Sequence, residues 1–189
     1  MTKTYAALLR GINVSGHRKV PMAELRELLE GLGYDGVRTY LQSGNAVFST
    51  ASGAGEDELK DALEDAIEER FGFRVDCLVR DGDYLAAVAE ACPFPAADLE
   101  GKQLHAVYYS GPADPERFAA IDREAYLPEE FALGDRVLYL YAPDGLGRSK
   151  LSEAVSRPSV VKGLVATARN WNTVLKLVEM TREESTREE

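Results

Sequence analysis

Four segments of this 189-residue chain are polar and either glycine-containing or amide-rich, and three of them carry basic side chains. That combination supplies what an anion site needs: N–H donors, positive charge and a backbone that can turn sharply. The first segment is Arg10-Gly11-Ile12-Asn13-Val14-Ser15-Gly16-His17-Arg18-Lys19. It follows an apolar run and precedes a helical pattern, so Arg10, Asn13 and Lys19 could complete a site whose floor is backbone amide. The same composition also describes an ordinary flexible connection. The second segment, Gln42-Ser43-Gly44-Asn45, reads as a hairpin turn in which Asn45 could orient a ligand. The third is Asp144-Gly145-Leu146-Gly147-Arg148-Ser149-Lys150-Leu151. Arg148 and Lys150 stand there at a helix start, where the dipole favours negative charge, and Ser149 could equally be a plain N-cap. It lacks the spacing of a Walker A loop, so nucleotide hydrolysis does not follow. The fourth, Thr167-Ala168-Arg169-Asn170-Trp171-Asn172-Thr173, concentrates hydrogen-bonding groups, with Arg169, Asn170 and Asn172 as the candidates. Trp171 lies on an apolar helical stripe and reads as core.

No Ser/His/Asp, Cys/His or paired-carboxylate constellation is legible, so the sequence assigns no reaction and leaves open whether the protein is an enzyme. His17 sits among basic residues as a loop histidine. Cys77 and Cys92 fit no zinc or redox spacing and read as small buried hydrophobes. With two histidines in the chain, no metal site is expected, and no cofactor.

The formal net charge is −10 at pH 7, which argues against tight binding to a nucleic-acid backbone. Its distribution is uneven. Residues 51–100 hold fourteen acids and four bases, the whole of the net charge. Residues 1–23 carry Lys3, Arg10, Arg18 and Lys19 and no acid, and residues 145–178 carry six bases against Glu153 alone. A cleft facing both basic stretches would attract anions despite the overall charge. Basic segments on separate faces would merely balance the acidic helix. No apolar run reaches the ~20 residues needed to cross a bilayer, and the start of the chain lacks a signal-peptide layout. The expectation is a cytoplasmic protein with no membrane partner.

The elements that must position these segments follow from periodicity. Tyr5 to Leu9 is a continuous apolar run, as in a buried strand. Pro21 opens a helix carrying Leu25, Leu28, Leu29 and Leu32, and Gly33 ends it. Val37–Gln42 and Ala46–Thr50 read as strands. Leu59, Leu63, Ile67 and Phe71 form the stripe of a second helix whose outer face bears the acidic block. Val75–Val79 is another strand. The order β-α-β-β-α-β is the ferredoxin-like unit.

The second half repeats that plan more loosely. A helix spans about Tyr84 to Cys92 and a strand Leu104–Tyr109. A helix follows Asp114-Pro115, and a hairpin turns at Gly134-Asp135. Ser149–Val155 is a short helix, and a last helix is capped by Asn170 or Asn172. The expected fold is α+β with two subdomains, the first ferredoxin-like over 1–80 and the second a related α/β sandwich over 81–182. A frayed polar tail is expected over 183–189.

Arg10-Gly11-Ile12-Asn13-Val14, Val20-Pro21-Met22 with Leu25, Gln42-Ser43-Gly44-Asn45, Ser149-Lys150-Leu151 and Arg169-Asn170-Trp171-Asn172-Thr173-Val174 together resemble the bacterial domain-of-unknown-function family 1697, over nearly the whole chain. The resemblance implies two α+β subdomains, the first ferredoxin-like. It brings no activity, substrate or catalytic residue with it.

Three functional expectations follow. The leading one is binding of a small anionic ligand, phosphorylated or nucleotide-like, at loops from both halves. Arg10, Lys19, Arg148, Lys150 and Arg169 would supply charge, and Asn13, Asn45, Asn170 and Asn172 orientation. The alternative is a non-catalytic interaction module in which the acidic helix 56–69 meets a basic protein partner. The third is weak single-stranded RNA binding on a sheet face bearing Tyr40, Tyr108, Tyr109, Tyr139 and Tyr141.

Overall fold

The computed structural model describes residues 2–186, with side chains to Arg182. The chain forms two compact units, one comprising residues up to Leu85 and again from Leu177, the other Ala86–Lys176.

In the first unit β1 (Lys3–Leu9) leads through a twelve-residue loop to α1 (Met22–Gly31), followed by β2 (Asp35–Tyr40), β3 (Asn45–Thr50), α2 (Glu56–Phe71) and β4 (Cys77–Asp81). The strands form one antiparallel sheet in the order β2-β3-β1-β4, the ferredoxin-like arrangement the periodicity implies. Tyr5, Ala7, Leu9, Phe48, Cys77 and Val79 present one sheet face to Leu25, Leu28 and Leu29 of α1 and Leu59, Leu63 and Ile67 of α2. Phe48 is the centre of this core, stacked on Tyr34 with ring centroids 4.5 Å apart and on Tyr5 at 5.8 Å. The alternate residues Ala6, Leu8 and Val47 are also fully buried, so β1 reads as a continuous apolar run because both faces of its sheet are covered.

The second unit takes in the end of α3 (Gly82–Glu90), then β5 (Leu104–Tyr109), α4 (Pro115–Ala119), β6 (Glu130–Gly134), β7 (Val137–Tyr141), the short α5 (Lys150–Val155) and α6 (Pro158–Val161), and β8 (Ala166–Asn170). Its sheet order, β6-β7-β5-β8, repeats that of the first. Tyr109, Phe118, Phe131, Leu138, Leu140, Leu151 and Val155 make its core.

α7 (Trp171–Thr186) begins here, and its residues from Leu177 group with the first unit. There Arg38 Nη2 donates to the Met180 carbonyl at 2.6 Å, and Thr181 lies against Gly82. The tail expected to fray from residue 183 is helical backbone through Thr186. Residues 187–189 lie outside the described residues. Among the described residues no helix is long and apolar enough to cross a membrane.

The strand β8 corrects the sequence reading, which took Thr167–Asn170 for a ligand-reading loop. It is the sheet's outer strand beside β5, with Thr167 and Arg169 turned to the buried side. A polar composition hides such a strand from pattern reading because its burial is set by the tertiary neighbours.

The β2–β3 turn depends on Gly44. Its φ is +95°, and a Cβ there would lie 2.8 Å from both Leu9 Cβ and Ile12 Cδ1. Gly53 has φ +73° but open space around it. Gly44→Ala should therefore cost about 2–4 kcal/mol, adding overpacking to backbone strain, and Gly53→Ala only about 1 kcal/mol. Urea unfolding of the two variants measures the difference.

Candidate functional site

The β1–α1 loop is held in an unusual backbone. Asn13, Ser15 and Arg18 have φ of 55°, 52° and 53°, and Gly11 and Gly16 are also left-handed. Leu41 in the facing β2–β3 turn has φ 59°. Four of the five non-glycine residues with positive φ among the described residues thus belong to these two segments; the fifth, Arg136, is in the β6–β7 hairpin. Such conformations persist only where surroundings over-determine them, and they concentrate at functional sites.

Asn13 does much of the determining. Its Oδ1 accepts from Val20 N at 2.9 Å, while Nδ2 donates to Val20 O at 3.0 Å and Gln42 O at 2.7 Å. The carboxamide thus stands in for a missing strand partner of Val20 and ties the loop to the hairpin. Beyond it the chain folds tightly back, with Asn13 N donating to Arg18 O and His17 N to Val14 O.

These loops enclose a cavity of about 410 Å³ lined by Asn13, Gly16, Lys19, Val20, Pro21, Met22 and Gln42. Pro21 is the N-cap of α1 and no side chain caps the helix. The N–H groups of Met22, Ala23 and Glu24 have no intrahelical acceptor, as at any helix start. Lys19 is exposed at the rim. No carboxylate is among the lining residues, although Glu24, half-buried in the first turn, pairs with Arg70 at 3.4 Å. The arrangement can hold an anion with a lysine, backbone amides and the helix dipole, without a metal.

The other expected site residues fare differently. Arg10 faces Asp76 at 3.7 Å with both side chains about half exposed. Asn45 is fully buried as the first residue of β3, donating to Tyr40 O at 2.8 Å. It closes the hairpin and has no surface to offer a ligand.

In the second unit Arg148 and Lys150 are exposed at the start of α5. That helix start is already filled: Ser149 Oγ accepts from Ser152 N, and the Glu129 carboxylate accepts from Leu151 N at 3.0 Å. Arg169 is buried on β8, its Nη1 donating to Thr167 Oγ1 at 2.6 Å and Ala168 O at 2.9 Å. Burial pushes its guanidinium down to about 10. Asn170 caps α7 by accepting from Thr173 N, which decides between the two candidate caps. Asn172 is exposed but lies against Gly101, where any Cβ would collide with it. Trp171 is core, its ring 6.3 Å from that of Tyr139.

Of the five strand tyrosines, Tyr108, Tyr109 and Tyr139 are buried and offer no ring face to a base, whereas Tyr40 and Tyr141 are partly exposed. The acidic helix is partly consumed within its own unit. Glu64 is buried, accepting from Cys77 N and Arg74, and Glu56 accepts from Asp81 N. Arg70 bridges to Glu24 and Glu27 of α1. Asp57, Glu58, Asp65 and Glu69 stay exposed. Burial raises the Cys77 thiol far above its usual range, so it is an inert core residue. Among the described residues no group of three or more His, Cys, Asp and Glu side chains could hold a metal.

Sequence reasoning named Asn13 and Lys19, and the motifs carrying the family resemblance included Val20, Pro21, Met22 and Gln42. It missed the exposure of Val14 and Leu41, at 57% and 51%. For Leu41 no sequence signal existed, since nothing in its type announces a left-handed turn residue.

The chain belongs to the family described as a protein of unknown function, DUF1697, whose model matches residues 1–139. That span covers the whole cavity and stops before the segments containing Ser149 and Arg169. Five chains of solved structures match. One is the conserved bacterial protein SP0830 from Streptococcus pneumoniae, 23% identical with a TM-score of 0.72, over 96% of this chain and 99% of that one. At that identity the likeness speaks to the fold alone. No curated protein matches the chain.

Two expectations follow from this geometry. Asn13→Ala strands a donor and two acceptors, and should cost about 1–3 kcal/mol. Asn13→Asp sets a carboxylate against two carbonyl oxygens and should cost at least as much at pH 7; chemical denaturation of both variants compares them. His105 is buried on β5 with Nδ1 lacking a hydrogen-bond partner, and burial lowers its pKa below 6.5. The unfolded chain therefore takes up a proton as pH falls through about 6.5 while the folded chain resists, so stability is lost on acidification. The slope approaches ~1.4 kcal/mol per pH unit. His105→Gln should flatten it below about pH 6.5. Fluorescence of Trp171, the chain's single tryptophan, monitors the unfolding.

Proposed function

We propose that this family member binds a small anionic ligand, phosphorylated or nucleotide-like, between the β1–α1 loop and the β2–β3 turn of its first unit. The observation that carries the reading is the cavity itself: about 410 Å³, with Lys19 and the uncapped start of α1 at one space and no carboxylate in the lining. The volume falls within the roughly 300–1,000 Å³ of small-molecule sites. The strained loops support it too, because Asn13 and Gly44 hold them in one arrangement before any ligand arrives, and a preformed site loses less entropy on binding. The proposal draws its residues from the first unit alone, unlike the expectation of a site shared by both halves.

The protein's overall acidity does not oppose this. Exposed acids are numerous on α2 and in the second unit, whereas residues 10–23 contain no carboxylate. Glu24, the acid in the first turn of α1, is paired with Arg70 at 3.4 Å, which offsets its charge beside the cavity.

Thermal unfolding with inorganic phosphate, sugar phosphates and nucleoside monophosphates tests the proposal. A ligand present at a hundred times its Kd should stabilise the protein by about 2.7 kcal/mol, a Tm rise of several degrees. Lys19→Ala should weaken binding about tenfold, the loss of one charge-assisted contact. No Tm change with any compound at millimolar concentration would overturn it.

A further inference from the structure

We infer that the ligand of this cavity is a phosphate monoester carrying an apolar or aromatic body, an inference that rests on the anion-binding reading above. Size is the first argument. Inorganic phosphate has five non-hydrogen atoms, and at about a water's ~30 Å³ apiece it would occupy roughly a third of a 410 Å³ cavity. Beyond Lys19 the lining carries no charged side chain: Val20, Pro21 and Met22 are apolar, and Asn13, Gly16 and Gln42 are neutral.

Charge is the second argument. One lysine lines the cavity, and the start of α1 contributes about half a positive charge. Together they match the ~−1.5 to −2 of a monoester at pH 7. A triphosphate carries far more negative charge than this lining balances.

The exposed aliphatic residues supply the third. Val14 and Leu41 are 57% and 51% exposed, and each is the chain neighbour of a lining residue: Val14 of Asn13, Leu41 of Gln42. The Asn13–Gln42 hydrogen bond joins their segments. Two large aliphatic side chains held out to solvent on left-handed or tightly turned backbone give an apolar body something to pack on, beyond the anionic end.

Isothermal titration calorimetry of the full chain with inorganic phosphate and with phenyl phosphate tests this. Phenyl phosphate is expected to bind at least about tenfold more tightly, and the double variant Val14→Ser/Leu41→Ser to bring the ratio close to one. Both side chains are exposed, so the variant should fold. Equal affinity for the two compounds, or a ratio the double variant does not change, overturns the inference while leaving anion binding intact. Binding of neither removes the anion site and this inference with it. A flotation assay with phosphatidic acid vesicles separates two sources of the same chemistry. Lys19-dependent flotation makes the apolar body a lipid; phenyl phosphate binding without flotation makes it a soluble metabolite.

Discussion

The close approach of the β2–β3 turn to the end of β1 fixes the functional end of the first unit. Leu9 N donates to Gly44 O at 2.9 Å, and the contact is possible only because position 44 has no Cβ. With one, Leu9 and Ile12 would each be met at 2.8 Å. Ile12 is buried as a result, and the loop that follows must start from a pinned position. Asn13 then bonds both Val20 and Gln42, so the loop's two ends and the facing turn become one object. The cavity is the space left between them. Packing on β1 and β3, rather than any interaction with a ligand, holds it open.

Charge is arranged around the same unit in a way that keeps the cavity free of carboxylates. The acids of α2 that lie nearest the core are spent on backbone amides and on Arg74, and the outer ones face solvent. Arg70 ties α2 to the acids of α1, including Glu24 next to the helix start. Pairs as exposed as these contribute little to stability. Their effect is on the local field, because an arginine beside Glu24 offsets the one carboxylate close to the first turn of α1.

The sequence made the first unit legible because its apolar residues recur with clean periods: two helical stripes and a continuous strand, interrupted by glycine and proline at turns. It made Lys19 and the Arg10–Lys19 loop legible as a candidate, since glycine, carboxamide and basic residues between a strand and a helix can present N–H donors and positive charge to an anion. Burial was not legible. Asn45, Arg169 and Glu64 are all polar residues that look available in the sequence, and the fold buries each one against backbone groups. Asn170 is spent as a helix cap, and Glu129 occupies the very helix start where Arg148 and Lys150 pointed to an anion. The partners of Glu64 and of the α5 start come from elsewhere in the chain, Cys77 N and Glu129, whereas Asn170 takes a cap position that the sequence already offered. The left-handed Leu41 was equally hidden, because tertiary packing and not residue type dictates its backbone.

The central claim is that the cavity beside α1 receives an anion, and amide NMR of the uniformly labelled protein during a phosphate titration addresses it most directly. The account predicts that the amides of Gly16, Lys19, Met22, Ala23, Glu24 and Gln42 shift together along one binding curve. Shifts confined to Arg148–Leu151, or scattered over exposed lysines and arginines without a common curve, would contradict it.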